Sequence, residues 1–202
     1  MVTKTITLYE FDELSDDAKE KARDWWRELY EFNSHGDDLE PVETAARLLG
    51  IEFRRHDVGL CGGGKRSEPN IWWTLHVQGA GASFDATYSY RKGSLSAIKS
   101  EFPKDTALHN IADGLAHLQV RYGYKITALI KSDSRGHFLE IEVDRMSDAD
   151  DEAMRELFRD FARWIYKFVD AEYTYQTSDE AVDDAIRANE YTFTEAGNRE
   201  DA

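Results

Sequence analysis

The stretch Ile71-Trp72-Trp73-Thr74-Leu75-His76-Val77-Gln78-Gly79-Ala80-Gly81-Ala82-Ser83-Phe84-Asp85-Ala86-Thr87-Tyr88-Ser89-Tyr90 decides the fold class. Ile71, Trp73, Leu75 and Val77 occupy every second position, and so do Phe84, Ala86, Tyr88 and Tyr90. A period of two is that of a strand with one buried face. Between the runs, Gln78–Ala82 has the small residues of a turn. Upstream, Ile51–Val58 reads as a further strand, separated from Ile71 by a glycine-rich loop over Gly59–Pro69. Together the three predict an antiparallel meander with an aromatic-rich face.

Working outward, the period changes to that of helices. Ser15 stands before Asp16 and Asp17, a cap followed by acids that suit a helix N-terminus. Ala18, Ala22, Trp25, Trp26, Leu29 and Phe32 then recur at spacings of three and four, which predicts a helix over 16–33 ending at His35-Gly36. Trp25 and Trp26 lie on its apolar stripe and read as core. Pro41 opens a short helix closing at Gly50. A helix is expected over 104–121, then strands over 124–132 and 137–145 joined at Arg135-Gly136. Ser147 caps the longest helix, and a last one covers 179–189. Thr3–Tyr9 alternates as a strand with one polar face. The expectation is an α+β fold, a mostly antiparallel sheet of about five to six strands packed against four to five helices. Residues 1–193 are read as a single domain and 194–202 as a frayed acidic tail.

Composition narrows the function. Apolar residues at 41% and aromatics at 12% exclude a disordered solvating chain. No run approaches the roughly 18 apolar residues of a membrane span, and no secretory leader opens the chain. The single cysteine, Cys61, excludes an internal disulfide framework and fits a reducing, cytoplasmic setting. Lys and Arg number 25 against 40 Asp and Glu, a formal charge of −15. Such a balance argues against direct binding to a phosphate backbone, where affinity comes from cations displacing counterions. The charge is uneven: residues 10–43 carry −9, residues 147–202 carry −10, and residues 44–146 carry +3. Acidic blocks of this kind either solvate helix faces or steer a basic partner.

Motifs for chemistry are weak. Gly59-Leu60-Cys61-Gly62-Gly63-Gly64-Lys65 matches most of a phosphate-binding loop, but Arg66 stands where a magnesium-holding Ser or Thr belongs, and a strand follows instead of a helix. No histidine pair has zinc spacing and no G-x-S-x-G elbow occurs. Neither a catalytic residue, a metal nor a cofactor is therefore assigned.

Three blocks resemble one family of phage and prophage proteins. They are the opening Tyr9-Glu10-Phe11-Asp12-Glu13-Leu14-Ser15-Asp16, the turn Gln78-Gly79-Ala80-Gly81-Ala82-Ser83-Phe84, and the ending Tyr175–Ala181 with Ala188-Asn189-Glu190-Tyr191-Thr192-Phe193-Thr194-Glu195. In the turn, Ala80 replaces the aspartate usual in that family. Its members are commonly labelled the antitoxin of a toxin–antitoxin stability system, which implies non-covalent neutralisation of a partner protein.

The leading expectation is thus an acidic phage or mobile-element protein, not an enzyme. It would bind and inhibit a host or mobile-element protein that handles nucleic acid and presents a basic surface, in the manner of an antitoxin or an inhibitor of a defence system such as CRISPR–Cas. Asp16, Asp17, Glu20, Asp150, Asp151, Asp183 and Asp184 are the candidate contacts, as exposed acids of the helices. The alternative is a ligand-binding or enzymatic domain using the turn, with His76, Gln78, Ser83 and Asp85 lining a pocket.

Overall fold

The structure is a computed structural model that describes residues 6–33, 39–60, 62–132, 139–143 and 146–199. The expected helix stop at His35-Gly36, the Arg135-Gly136 turn and Cys61 lie outside the described residues. The fold class is α+β, with antiparallel pairing throughout the described sheets. The chain divides into two compact units: Met1–Asp37 with Asp170–Ala202, and Asp38–Val169. Where the sequence suggests one domain over 1–193, the two ends of the chain form a unit of their own.

In the unit of the chain ends, strand β1 (Tyr9–Glu10) runs into a 3-10 turn at Phe11–Glu13 and then helix α1 (Asp16–Asn33). Of the expected strand over Thr3–Tyr9, Thr3–Thr5 lie outside the described residues, and among the rest only Tyr9 is strand, together with Glu10. Helix α6 (Asp179–Ala188) starts at Ser178, whose hydroxyl accepts from the Ala181 N–H, and strand β10 (Thr192–Phe193) pairs back on β1 with Tyr9 opposite Phe193. Phe11, Leu14, Ala18, Ala22, Val182, Ile186 and Phe193 form the core, with Trp25, Trp26 and Tyr191 against it. The tryptophans, expected as core from their place on the stripe, are half-buried and pack on the edge of that core. The fraying expected from Thr194 gives way, as far as Arg199, to a turn in which the Asn198 N–H donates to Thr194 Oγ1 and Arg199 bridges to Phe193. Gly197, at φ +80°, closes that turn so tightly that a Cβ would overlap the Ala18 carbonyl oxygen.

The other unit is built on a four-stranded sheet in the order β2-β7-β8-β9, with β2 at Ile51–Phe53, β7 at Ala86–Ser89, β8 at Thr127–Ser132 and β9 at Leu139–Val143. Helices α2 (Glu40–Leu49), α3 (Ser94–Glu101), α4 (Thr106–Arg121) and the first part of α5 (Asp148–Gln176) supply the rest of its core. Phe161 of α5 meets Phe84 edge-on at 5.6 Å, and Phe158 meets Tyr88 likewise at 5.3 Å. Helices α4 and α5 approach closely at Gly114, where a Cβ would sit 2.7 Å from the Leu157 Cδ2. One buried amide completes the sheet: Gln119 accepts from the Ile126 N–H and donates to the Ile126 carbonyl and the Tyr88 hydroxyl. Burial pushes that hydroxyl up to about 12.

Two expected strands are broken in the structure, and an expected loop is partly strand. Ile51–Val58 divides into β2 and β3 (Arg55–Gly59); the run from Phe84 to Tyr90 divides at Asp85 into β6 (Gly81–Phe84), which starts within the expected turn, and β7; and the expected loop Gly59–Pro69 ends in strand β4 (Lys65–Pro69). Strand β5 is Ile71–Thr74. The breaks at Arg54, Asn70 and Asp85 meet. The Arg54 N–H donates to the Asp85 carbonyl (2.8 Å), the Asp85 N–H to the Asn70 carbonyl (3.0 Å), and the Asn70 N–H to the Arg54 carbonyl (2.7 Å). From this closed triangle three strand pairs radiate: β2 with β7, β3 with β4, and β5 with β6. Every strand enters through one pair and leaves through another. That geometry is why two hairpins project from the junction instead of extending the sheet. Among the described residues no helix is long and apolar enough to cross a membrane.

Candidate partner-binding surface

The uneven charge along the sequence carries over to the two units. The 70 residues of the unit formed by the chain ends hold 20 acids and 7 bases, a balance of −13; the other unit's 132 residues hold 20 acids and 18 bases, −2. The expected acidic blocks thus contribute most of their charge to one compact body.

Within it, acids have two kinds of environment. A ladder of arginines ties α1 to α6. Arg23 forms a two-pronged pair with Asp183 (2.7 and 2.9 Å) and also reaches Glu20; Arg27 bonds Glu20, Asp24 and the Thr177 carbonyl. The Arg23 and Asp183 side chains are only 18% and 16% exposed, so this pair is largely out of water. Hydrogen bonds from Arg27 and then Arg23 hold Glu20 below the usual carboxylate range, and the Asp183 hydrogen bond raises Arg23. Arg187 does the same for Asp12, which it grips with Nε and Nη2, and stacks with Lys19 and Arg23 around the Phe11 ring. A second set of acids stays open. Asp16, Asp17 and Glu180 are exposed in the first turns of α1 and α6, and none pairs with a basic side chain among the described residues.

The seven acids expected as contacts therefore separate. Asp16, Asp17, Glu20, Asp183 and Asp184 belong to the acidic unit; Asp150 and Asp151 belong to the other. Asp16 and Asp17 are open, and Asp184 is exposed with a 3.4 Å contact to Arg187. Asp183 is committed to Arg23. Asp150 corrects the expectation of an exposed acid, because it is buried. At the start of α5 it accepts from the Tyr122 hydroxyl (2.6 Å), the Ser147 hydroxyl and Arg121. The Tyr122 and Ser147 hydrogen bonds hold it below its ordinary value. A short acid in the first turn of a helix, beside a Ser cap, is satisfied by local donors before it can meet a partner. Asp151 pairs with Arg155 at i,i+4.

The turn residues do not share one environment. His76 and Gln78 are exposed at the tip of the β5–β6 hairpin, with His76 at φ +57°, whereas Ser83 is fully buried. Asp85 serves the junction: its carboxylate accepts from the Ser132 N–H (2.8 Å) and the Asn70 side chain (3.3 Å). The expected pocket lining is instead a hairpin tip, a core hydroxyl and a structural clamp. Among the described residues no group of three or more His, Cys, Asp or Glu is arranged to hold a metal ion. Sequence reasoning missed the arginine ladder. Arg23 and Arg27, four residues apart in α1, would repel one another in an isolated helix; Asp183 and Asp179 of α6 offset this.

A single α+β domain in which the two chain ends form a compact acidic unit is the class that fold and charge define. The chain belongs to the family described as Domain of unknown function (DUF8835), whose model matches residues 35–179. The match takes in the whole of the less charged unit and the Gln78–Phe84 turn, and leaves Tyr9–Asp16 and Ala188–Glu195 outside. Neither a curated protein nor a solved structure matches the chain.

Proposed function

We propose that the chain acts by non-covalent binding, without catalysis, and that its acidic unit docks a protein with a basic surface. The observation that carries this reading is the balance of −13 within 70 residues, with Asp16, Asp17 and Glu180 exposed and outside ion pairs among the described residues. Acids already held by Arg23, Arg27 and Arg187 build the unit; the open ones supply the field that a basic partner meets. Proteins that handle nucleic acid present basic grooves, so a host or mobile-element protein of that kind is the proposed target. Inhibition of it in a bacterial cytoplasm, as the resemblance to antitoxins implies, is the proposed outcome.

The test compares proteins retained from a bacterial lysate by the wild-type chain and by the Asp16→Lys/Asp17→Lys/Glu180→Lys variant, at about 50 and about 300 mM salt. A specific basic protein held by the wild type at low salt, lost at high salt and lost with the variant is expected. Retention that ignores both salt and the three reversals sinks the electrostatic reading.

A further inference from the structure

We propose that one end of the four-stranded sheet, formed by Tyr90–Gly93 and Arg121–Lys125, is a binding site for single-stranded nucleic acid. The first segment leaves β7 and the second enters β8, and the register Ser89 opposite Thr127 brings both to the same end. There the Tyr90 and Tyr124 rings meet at 4.6 Å with a 40° tilt, yet they remain 36% and 50% exposed. Tyr124 reaches this position through strained backbone. After α4 the chain turns through Gly123 at φ +64° and Tyr124 at φ +63°, fixed by the Tyr124 N–H donating to the Gln119 carbonyl (2.7 Å). A bulky residue held in the left-handed region marks a place where the fold supports a costly conformation, and here the result is an aromatic face turned to solvent.

The chemistry around the rings is cationic. Arg91 and Lys92 follow Tyr90, Arg121 and Lys125 flank Tyr124, and neither segment contains an acid. Arg91, Lys92 and Lys125 are exposed; Arg121 contacts Asp150 but keeps 69% of its side chain in solvent. Arg91 also donates to the Arg47 carbonyl, which brings the end of α2, with exposed Arg47, to the same place. Exposed rings beside a row of cations fit a strand whose bases can stack while its phosphates meet Lys and Arg. An acidic peptide would satisfy the cations but leave the rings without a use. The chain's charge of −15 does not oppose this locally. Most of it lies in the other unit, and this one carries only −2.

The experiment measures fluorescence anisotropy of labelled mixed-sequence single-stranded DNA and RNA of about 20 nucleotides with the full chain. Saturable binding is expected, weakened about 20- to 50-fold between about 50 and 200 mM salt if three or four phosphates are neutralised. Tyr90→Ala/Tyr124→Ala should weaken it about tenfold or more, while Tyr90→Phe/Tyr124→Phe keeps it, because stacking needs the ring and not the hydroxyl. Lys92→Glu/Lys125→Glu changes only exposed side chains and should abolish it even if the alanine pair disturbs folding. Absence of binding by the wild type overturns the proposal. So does equal affinity for a duplex of the same sequence. Light scattering supplies the third check: salt-sensitive self-association removed by Lys92→Glu/Lys125→Glu, without nucleic-acid binding, would assign the patch to the acidic unit of a second copy. Failure here leaves the acidic-unit reading standing, since that concerns other residues and is read by protein retention.

Discussion

Residues 38–169 bury 24 residues in one apolar cluster among those described, whereas the unit made from the two chain ends buries seven and carries most of the net charge. The first body is organised by a sheet and aromatic edge contacts; the second by Arg23, Arg27 and Arg187 joining carboxylates from distant parts of the sequence. A body with few apolar residues must satisfy its charges internally to hold its helices together. A body with a large core can leave cations open on its rim. The family match largely follows the same division, since it covers all of the large-core unit and 13 of the 70 residues of the acidic one.

The largest effect that would test this contrast is in the apolar core. Phe158 is fully buried, meets the Tyr88 ring at 5.3 Å and belongs to the long helix α5. Phe158→Ala should cost about 3–5 kcal/mol through lost burial and a residual cavity, read from chemical denaturation. A loss below about 1 kcal/mol would mean that this core is not what sustains the unit.

In the acidic unit the corresponding weak point is a guanidinium. Arg23→Met keeps much of the aliphatic stem but removes both hydrogen bonds to Asp183, which is 16% exposed and keeps only the 3.9 Å approach of Arg187. The expected cost is about 1.5–3 kcal/mol, less than for a fully buried pair because solvent still reaches both groups. Heteronuclear NMR should show it as line broadening of Val182 and Ile186, while Ile130 and Ile141 in the other unit keep their shifts. Unchanged Ile186 signals would deny the ladder its structural role.

Asp85 separates two readings of the turn. As a pocket residue it could be replaced without harm to the fold; as the clamp at the triangle of Arg54, Asn70 and Asp85 it could not. Asp85→Ala leaves the Ser132 N–H without its acceptor and should cost about 1–2 kcal/mol, with Asp85→Asn recovering part of it through the remaining carbonyl oxygen. A fully stable alanine variant would restore the pocket reading.

What was legible in the sequence follows the range of the forces involved. Helices α1, α2, α4, α5 and α6 are set by caps and periodicity within a few residues, and all five are found close to their expected bounds. Helix α3 was not expected, because Leu95 and Ile98 are its only large apolar residues and its N-terminal position is Gly93 in a left-handed turn. The strand breaks were invisible for another reason: Ile51–Val58 contains no Gly or Pro to stop a strand, and it bends at Arg54 through backbone hydrogen bonds with Asn70 and Asp85. Strand β4 was hidden because Lys65–Pro69 has no apolar side, being paired with β3 in a hairpin largely exposed to solvent. At the site, the open acids Asp16 and Asp17 could be named from the helix start alone. The commitment of Asp183 to Arg23 could not, since 160 residues separate them.

Asp183 and Asp184 give the smallest effect and the finest division. They are adjacent and chemically identical, so composition treats them alike, but one residue of helix turns the side chain by about 100°. Asp183 falls on the face toward α1, and Asp184 is 75% exposed with one long contact to Arg187. Asp184→Asn should change stability by less than about 0.5 kcal/mol, the range of a solvent-exposed pair, whereas Asp183→Asn should cost clearly more. Partner retention should reverse the order, with Asp184→Asn lowering it at low salt in a protein of unaltered melting temperature. If the two variants instead behaved alike in both measurements, the acids of this unit would form one undivided charge, and the distinction between acids that build it and acids that face a partner would fail.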